Sequence, residues 1–508
     1  MMIKLKNYKN IFIIILISFI FVVPLLIFQS VNGDFITHIS RIYNLSISFE
    51  NYDFNPYMYQ SCHYKYGYPF GIFYPDTFIK PFAFLSNIGV PIYISSILLL
   101  FVINIITMLI PYILLKKENI EKNKAFIISL IYFLYPYRFI DFIHRFSIGE
   151  LYFFIFFPFV IYGFYKIFYK KEFSICLAIG FYGIAHSHML SIILILIFCV
   201  FSFITLLTKT KFYKGIYFLI INAIITILTC LDIIIPICEA QYQEDLLYEI
   251  NNAFLGTLYD NSYKIVNINN ITTIIGFVLF ISLIIFSVYD KNKIRKCFYL
   301  FGCLFLIQTN LFNWNIILKI FPQLNIIQFP FRFLVYGSLL WTYIIFNFKP
   351  YKFKLFLIKF ILFIEIIITI LLSYIYEPYN YNEMYFNVGA GDYINIDVDT
   401  TNLSFFDFNK NKENNIKTHL YFSENGYLPI FYYHNYIIKD EDNNSYTYEN
   451  KNGLIYIEEL EKENKTLIVT YQKTLLQNMS YILSICSIVI ILLIYFLKNK
   501  FNKYKKES

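Results

Sequence analysis

Charge is what this sequence has least of. Lys, Arg, Asp and Glu together make up 15% of its 508 residues, against 58% hydrophobic and 21% aromatic. A soluble domain of this length needs more polar surface than that to cover itself, which excludes the soluble globular classes. Arginine is rarer still: Arg41, Arg138, Arg145, Arg295 and Arg332 are all there are. The eight cysteines show no CxxC or Cys/His spacing, and most fall in apolar runs where a thiol acts as a small hydrophobe. Neither a disulfide framework nor a zinc motif is indicated.

Long apolar runs are what the chain has instead. Runs able to cross ~30 Å of hydrocarbon lie at 11–28, 92–115, 151–165, 189–207, 215–236, 271–289, 332–347, 355–375 and 479–497, and shorter ones at 125–135, 174–186 and 298–310 complete an alternating path. The expected fold is an all-α polytopic membrane protein of about twelve transmembrane helices. Alternate loops are rich in lysine, from Lys4, Lys6 and Lys9 through Lys116, Lys117, Lys122 and Lys124 to the tail with Lys498, Lys500 and Lys503. Such loops stay cytoplasmic, so both termini are expected inside. The net charge of +8 then marks topology and contact with an anionic leaflet, with no nucleic-acid partner. The first run also fits a signal peptide, but no small-x-small site follows it and its loss would spoil the parity of crossings.

Oriented this way, every histidine and every arginine except Arg295 falls on the outer side. Two outer regions interrupt the helices. The loop 29–91 contains GYPFGIFYP, whose prolines and glycines forbid regular helix. Residues 377–474 are polar and rich in Tyr and Asn; the stretches 393–398, 427–438, 454–458 and 466–472 read as strands, with Asn425-Gly426 and Asn452-Gly453 as turns. The expected domains are a transmembrane core over 1–376, a small extracytoplasmic β-rich domain over 377–474, and a last helix with a basic tail over 475–508.

Four constellations carry candidate chemistry. Asp34, His38 and Arg41 share one face if the segment is helical; the plainer reading is that Asp34 caps that helix and pairs with His38 or Arg41. Arg138, Asp141 and Arg145 likewise share a face just before Glu150, suggesting a net positive anion site, or Asp141 simply bridging two arginines. His186 and His188 flank a turn and suit a metal or plain hydrogen-bonded structure. Arg332, in QFPFRF, either grips an anion or snorkels to the interface. Within the membrane, Glu365 and Asp232 suit a proton-coupled role or helix-packing hydrogen bonds.

The order of Asp-x-x-x-His-x-x-Arg, a Gly-Tyr-Pro…Phe-Tyr-Pro loop, an Arg…Arg…Gly-Glu loop, a His-containing turn and Phe-Pro-Phe-Arg resembles bacterial membrane proteins labelled 6-pyruvoyl-tetrahydropterin synthase-related, near the YfhO-like group, over most of residues 1–350. No soluble zinc site of a pterin synthase is present, and that activity is not implied. The resemblance implies GT-C architecture, in which polytopic glycosyltransferases take a sugar from a polyprenyl-phosphate carrier at the outer face of the bacterial cytoplasmic membrane. Asp34 and His38 would then be catalytic, and Arg41, Arg138, Arg145, Glu150 and Arg332 would bind lipid phosphate or substrate. A divalent cation at Asp34, His186 and His188 is the candidate cofactor, and a cell-envelope glycopolymer or lipid the acceptor. Many GT-C members carry paired acids where this chain has Asp34 alone, with His38 nearby. The rival functions are a non-catalytic carrier or flippase of lipid-linked anions and an envelope-assembly scaffold.

Overall fold

The computed structural model describes residues 2–206, 213–244, 330–347, 351–376, 420–463 and 465–507, with a few isolated positions between them. The first apolar run forms α1 (Met2–Phe28). The loop after it is built from α2 (Phe35–Glu50), the single turns α3 (Cys62–Lys65) and α4 (Phe70–Phe73), and α5 (Lys80–Asn87). The bundle continues through α6 (Ile92–Lys117), α7 (Lys122–Phe133), α8 (Pro136–Ile143) and α9 (Ile148–Phe164), which runs on as a π-turn to Lys170. Then come α10 (Cys176–Ala185), α11 (Met189–Leu206), α12 (Tyr213–Thr229) and α13 (Leu231–Gln243). A 3₁₀ helix, Pro330–Tyr336, leads into α14 (Gly337–Asn347), followed by α15 (Tyr351–Ile375) and, after the sheets, α16 (Leu475–Glu507).

Five of these helical segments are long and apolar enough to cross a membrane, and up to seven crossings form if each of two bent pairs is one span. The expectation of twelve is not met among the described residues, and 271–289 and 298–310 lie outside them. The run 125–135 is the first half of a broken span: α7 and α8 meet at 58°. The break is chemical, because Pro136 lacks an amide hydrogen and forces Tyr135 into an extended conformation (φ −75°, ψ 123°). The run 174–186 yields ten helical residues, about 15 Å at 1.5 Å per residue, roughly half the hydrocarbon thickness. A second bend of 66° separates α12 from α13.

The segment between α15 and α16 holds two antiparallel sheets, with strand order β1-β7-β3-β4 and β2-β6-β5. The strands are β1 (Leu420–Ser423), β2 (Tyr427–Phe431), β3 (Tyr436–Lys439), β4 (Ser445–Tyr446), β5 (Glu449–Lys451), β6 (Leu454–Tyr456) and β7 (Lys465–Tyr471). Asn425-Gly426 and Asn452-Gly453 both take the paired left-handed conformation of tight hairpin turns, with φ of 51° and 82°, then 56° and 77°. The stretch 427–438, read as one strand, is two strands in different sheets, because the chain turns at Asn435 (φ 71°). The stretch 393–398 lies outside the described residues but for Asp397. The sheets rest on the loop after α2: the Phe431 amide donates to the Tyr66 carbonyl at 2.9 Å, and Lys473 reaches Asp53 at 3.5 Å.

Candidate functional site

Four separate pieces of chain meet at the loop-bearing end of the bundle: the start of α2, residues 144–150, the turn at 186–188 and the 3₁₀ helix around Arg332. Main-chain contacts set the meeting point. Asn32 Nδ2 donates to the His144 carbonyl at 3.0 Å, and the Asp34 amide donates to the Arg145 carbonyl at 2.9 Å. Gly33 is required there: its φ is +53°, and a Cβ would lie 2.5 Å from the Arg145 carbonyl oxygen. Gly149 serves similarly on the other side, where a Cβ would meet the His188 ring at 2.8 Å.

Asp34 stands at the N-cap position of α2, yet its side chain makes no capping hydrogen bond. A used cap of this kind contributes ~0.5–2 kcal/mol, and here that contribution is forgone. The carboxylate makes no hydrogen bond or ion pair with any described residue. It is open to solvent while densely surrounded by protein, the signature of a recess. Burial pushes its pKa above the ordinary carboxylate value; Glu150 adds to that, while Arg145 and Arg332 oppose it.

Glu150 is the hub beside it. Its Oε1 accepts from Arg145 Nη2 at 2.9 Å and from Arg332 Nε at 3.1 Å, and its Oε2 accepts from the Tyr137 hydroxyl at 2.6 Å. Arg145 Nη1 donates to Asp141 Oδ1 at 2.8 Å and to the Tyr137 hydroxyl at 3.2 Å, and its guanidinium lies 4.8 Å from the Phe331 ring centre. Two cations therefore face two carboxylates. The expected surplus of positive charge is absent from this cluster, because Glu150 joins it and Arg138 does not.

Two uncharged imidazoles complete the site. His38 is held neutral at physiological pH by burial, by Arg41 and by the nearby His188. His188 is pushed down to about 3 by burial first and by Arg332 next. Its Nδ1 hydrogen-bonds the Ser191 hydroxyl at 2.8 Å.

Three sequence expectations are corrected. Arg41 belongs to the loop: it donates to Asp76 at 2.6 and 3.2 Å and to the carbonyls of Tyr74 and Pro75 at 3.1 and 3.0 Å, while Nη1 faces His38 Nδ1 at 3.3 Å. Tyr59 holds the other Asp76 oxygen. Arg138 turns away from Asp141 into the bundle, where it donates to Asn104 and stacks on the Phe133 ring at 3.9 Å. The histidines of the turn part company as well. His186 faces the Tyr182 carbonyl at 3.0 Å and Asp232 at 3.3 Å, and Ser484 of α16 donates to the same Asp232 at 3.0 Å. Among the described residues no three His, Cys, Asp or Glu side chains converge as metal ligands, so Asp34, His186 and His188 do not form a cation site.

Asp76, Tyr59 and Tyr137 were not singled out from sequence. Asp76 lies 35 residues from its partner Arg41, and no periodicity links residues across a loop. Tyr137, one of 48 tyrosines, had only its position beside Arg138 to mark it.

Beside the site runs an apolar groove of about 510 Å³ between α10, α11, α12 and α13, lined by Phe181, Ala185, Met189, Leu196, Ala223 and Ile233 among others. Met189 is the residue after His188, so one end of the groove adjoins the polar cluster. Compared with protein-family models, the chain matches none. Nor does it match any of the curated proteins.

Proposed function

We propose that this chain is a membrane glycosyltransferase that moves a sugar from a polyprenyl-phosphate carrier to a cell-envelope acceptor. The reading has both termini in the cytoplasm, the sheets outside and the recess at the outer face of a bacterial cytoplasmic membrane, as the lysine distribution indicates. One observation carries it: Asp34 is a carboxylate at a helix N-cap that neither caps the helix nor pairs with a described residue, open to solvent beside two arginines. A residue kept there without structural return is free to act on a substrate. The GT-C resemblance assigns catalysis to the same position.

In the proposed reaction the acceptor hydroxyl gives its proton to Asp34 as its oxygen attacks the anomeric carbon, and the carrier phosphate departs. Arg332 and Arg145, fixed by Glu150, stabilise the charge that builds on the leaving phosphate. The neutral His38 and His188 add no positive charge that would quench the Asp34 base. The apolar groove ending at Met189 suits an isoprenoid tail. No step runs through a metal, since the donors among the described residues do not fit one.

Transfer of labelled sugar in proteoliposomes, measured beside donor binding, tests the reading. Asp34→Asn is expected to bind donor normally and to lose turnover by ~10²-fold or more, the scale of a positioned base. It should also unfold at a higher temperature than the wild type at neutral pH. A carboxyl whose folded pKa is raised costs stability once pH exceeds its unfolded value, and the amide removes that cost. Unchanged turnover refutes the assignment, and lipid translocation without glycosylated product would establish the carrier instead.

A further inference from the structure

Deep in the bundle lies a second polar cluster, separate from the Asp34 recess. Glu365 sits on α15 ten residues before the helix ends at Ile375, about 15 Å from that end. It is buried, and its Oε2 has no hydrogen-bond partner among the described residues. Opposite it, fully buried on α8, Arg138 leaves Nε without an acceptor, and Asn104 on α6 leaves Nδ2 without one. One turn along α8 from Arg138, Asp141 uses Oδ1 for Arg145 while its Oδ2 is unpartnered. Two donors and two acceptors are thus left over in the same apolar interior.

These groups do not satisfy one another directly, and Glu365 and Arg138 do not come within ion-pair contact. Unpaired buried polar atoms of this number are costly unless something with both donor and acceptor capacity lies between them, and water is the molecule that has it. The break between α7 and α8 is compatible with this, because the backbone freed at an interrupted helix is either buried in protein or lines a hydrated cavity. Among the described residues, the helices packed most extensively on α15 are α1 and α8. Residues 10–28 of α1 include no ionisable side chain, and from α8 the charge that bears on Glu365 is Arg138.

We infer that Glu365 binds and releases a proton in a water-containing chamber shared with Arg138 and Asn104. On uptake a hydronium ion in the chamber breaks one O–H bond as a new one forms at Oε2, leaving a water molecule, a neutral carboxyl and a still-charged Arg138. Asp141 is the next acceptor toward the recess and links the chamber to the Arg145–Glu150 cluster. The membrane domain therefore carries a proton site at a residue other than the proposed base, Asp34.

Infrared spectroscopy of the full-length protein in lipid nanodiscs tests the inference. A protonated-carboxyl carbonyl absorption should vanish as pH rises and be missing in Glu365→Gln. In Arg138→Gln its midpoint should move up by about one pH unit or more, since an adjacent cation favours the carboxylate. The inference fails if Glu365→Gln keeps the absorption or Arg138→Gln leaves the midpoint in place. A second measurement needs no variant: dicyclohexylcarbodiimide, which attacks protonated carboxyls in apolar surroundings, should label the peptide containing Glu365 at acidic pH and spare it at alkaline pH. Labelling that is absent, or the same at every pH, overturns the inference.

Discussion

Replacing Glu150 by glutamine removes one charge and keeps the shape, and its cost can be worked from the contacts. The carboxylate receives charge-assisted bonds from Arg145 Nη2 and Arg332 Nε on one oxygen and a Tyr137 hydroxyl on the other. Bonds to a charged group contribute ~1.5–3 kcal/mol and neutral ones ~0.5–1.5 kcal/mol. Both arginines stay charged, but each loses the charge on its acceptor, at about 1–1.5 kcal/mol per bond and about 2–3 kcal/mol for the two. The amide nitrogen would also confront the Tyr137 hydroxyl, whose oxygen already accepts from Arg145, so the tyrosine loses its acceptor at about 1 kcal/mol more. The sum, roughly 3–4 kcal/mol, agrees with the ~3–5 kcal/mol typical of breaking a buried ion pair. Asp141 continues to hold Arg145, whereas Arg332 loses the carboxylate that its Nε meets. Arg332→Met should therefore restore most of the loss in the double variant, because a buried pair replaced by apolar groups is often near neutral. Unfolding in detergent can be followed by tryptophan fluorescence, since Trp341 donates from α14 to the Ile131 carbonyl at 3.1 Å. A Glu150→Gln loss below about 0.5 kcal/mol, or a double variant as unstable as the two single losses added, would refute the hub.

Two further outcomes follow from the same geometry. Arg41→Lys keeps the charge but cannot reproduce the guanidinium's bonds to Asp76 and to two loop carbonyls, so thermal unfolding should show a loss of ~1–3 kcal/mol; donor binding should be unchanged, and a large loss of binding would return Arg41 to the substrate. His188 has a folded pKa of about 3, below its ordinary 6.5, so its contribution is present above pH 6.5 and lost as pH falls from 6.5 toward 3. His188→Gln should flatten that part of the stability profile, and an unchanged acid slope would contradict the burial of the imidazole.

Local signals were legible in the sequence and distant pairings were not. The two Asn-Gly turns, the helical segment that carries His38 and Arg41, and the punctuated loop 29–91 rest on chemistry within a few residues. Arg138 and Asp141 show where that logic stops. Their spacing does put them on one short helix, but the break at Pro136 re-aims α8, and Arg138 finds Asn104, 34 residues earlier. Glu150 and Arg332 were both visible as candidates, yet nothing in sequence joins residues 182 apart. That Asp34 caps nothing is invisible as well, because an aspartate before a helix reads as a cap from sequence alone.

That separation of 182 residues also bears on how the protein is made. The ion pairs of Arg145 with Asp141 and Glu150 lie within nine residues of one another and can close as soon as α8 and α9 are synthesised. Arg332 arrives about 10–40 s later at ~5–20 residues per second. Until then Glu150 lacks its second cation, and α8, eight residues and about 12 Å long, is too short to insert as a span of its own. The nascent chain therefore spends that interval with an unfinished polar cluster at the rim of the bundle, and the arrival of the 330–336 segment is the event that completes it.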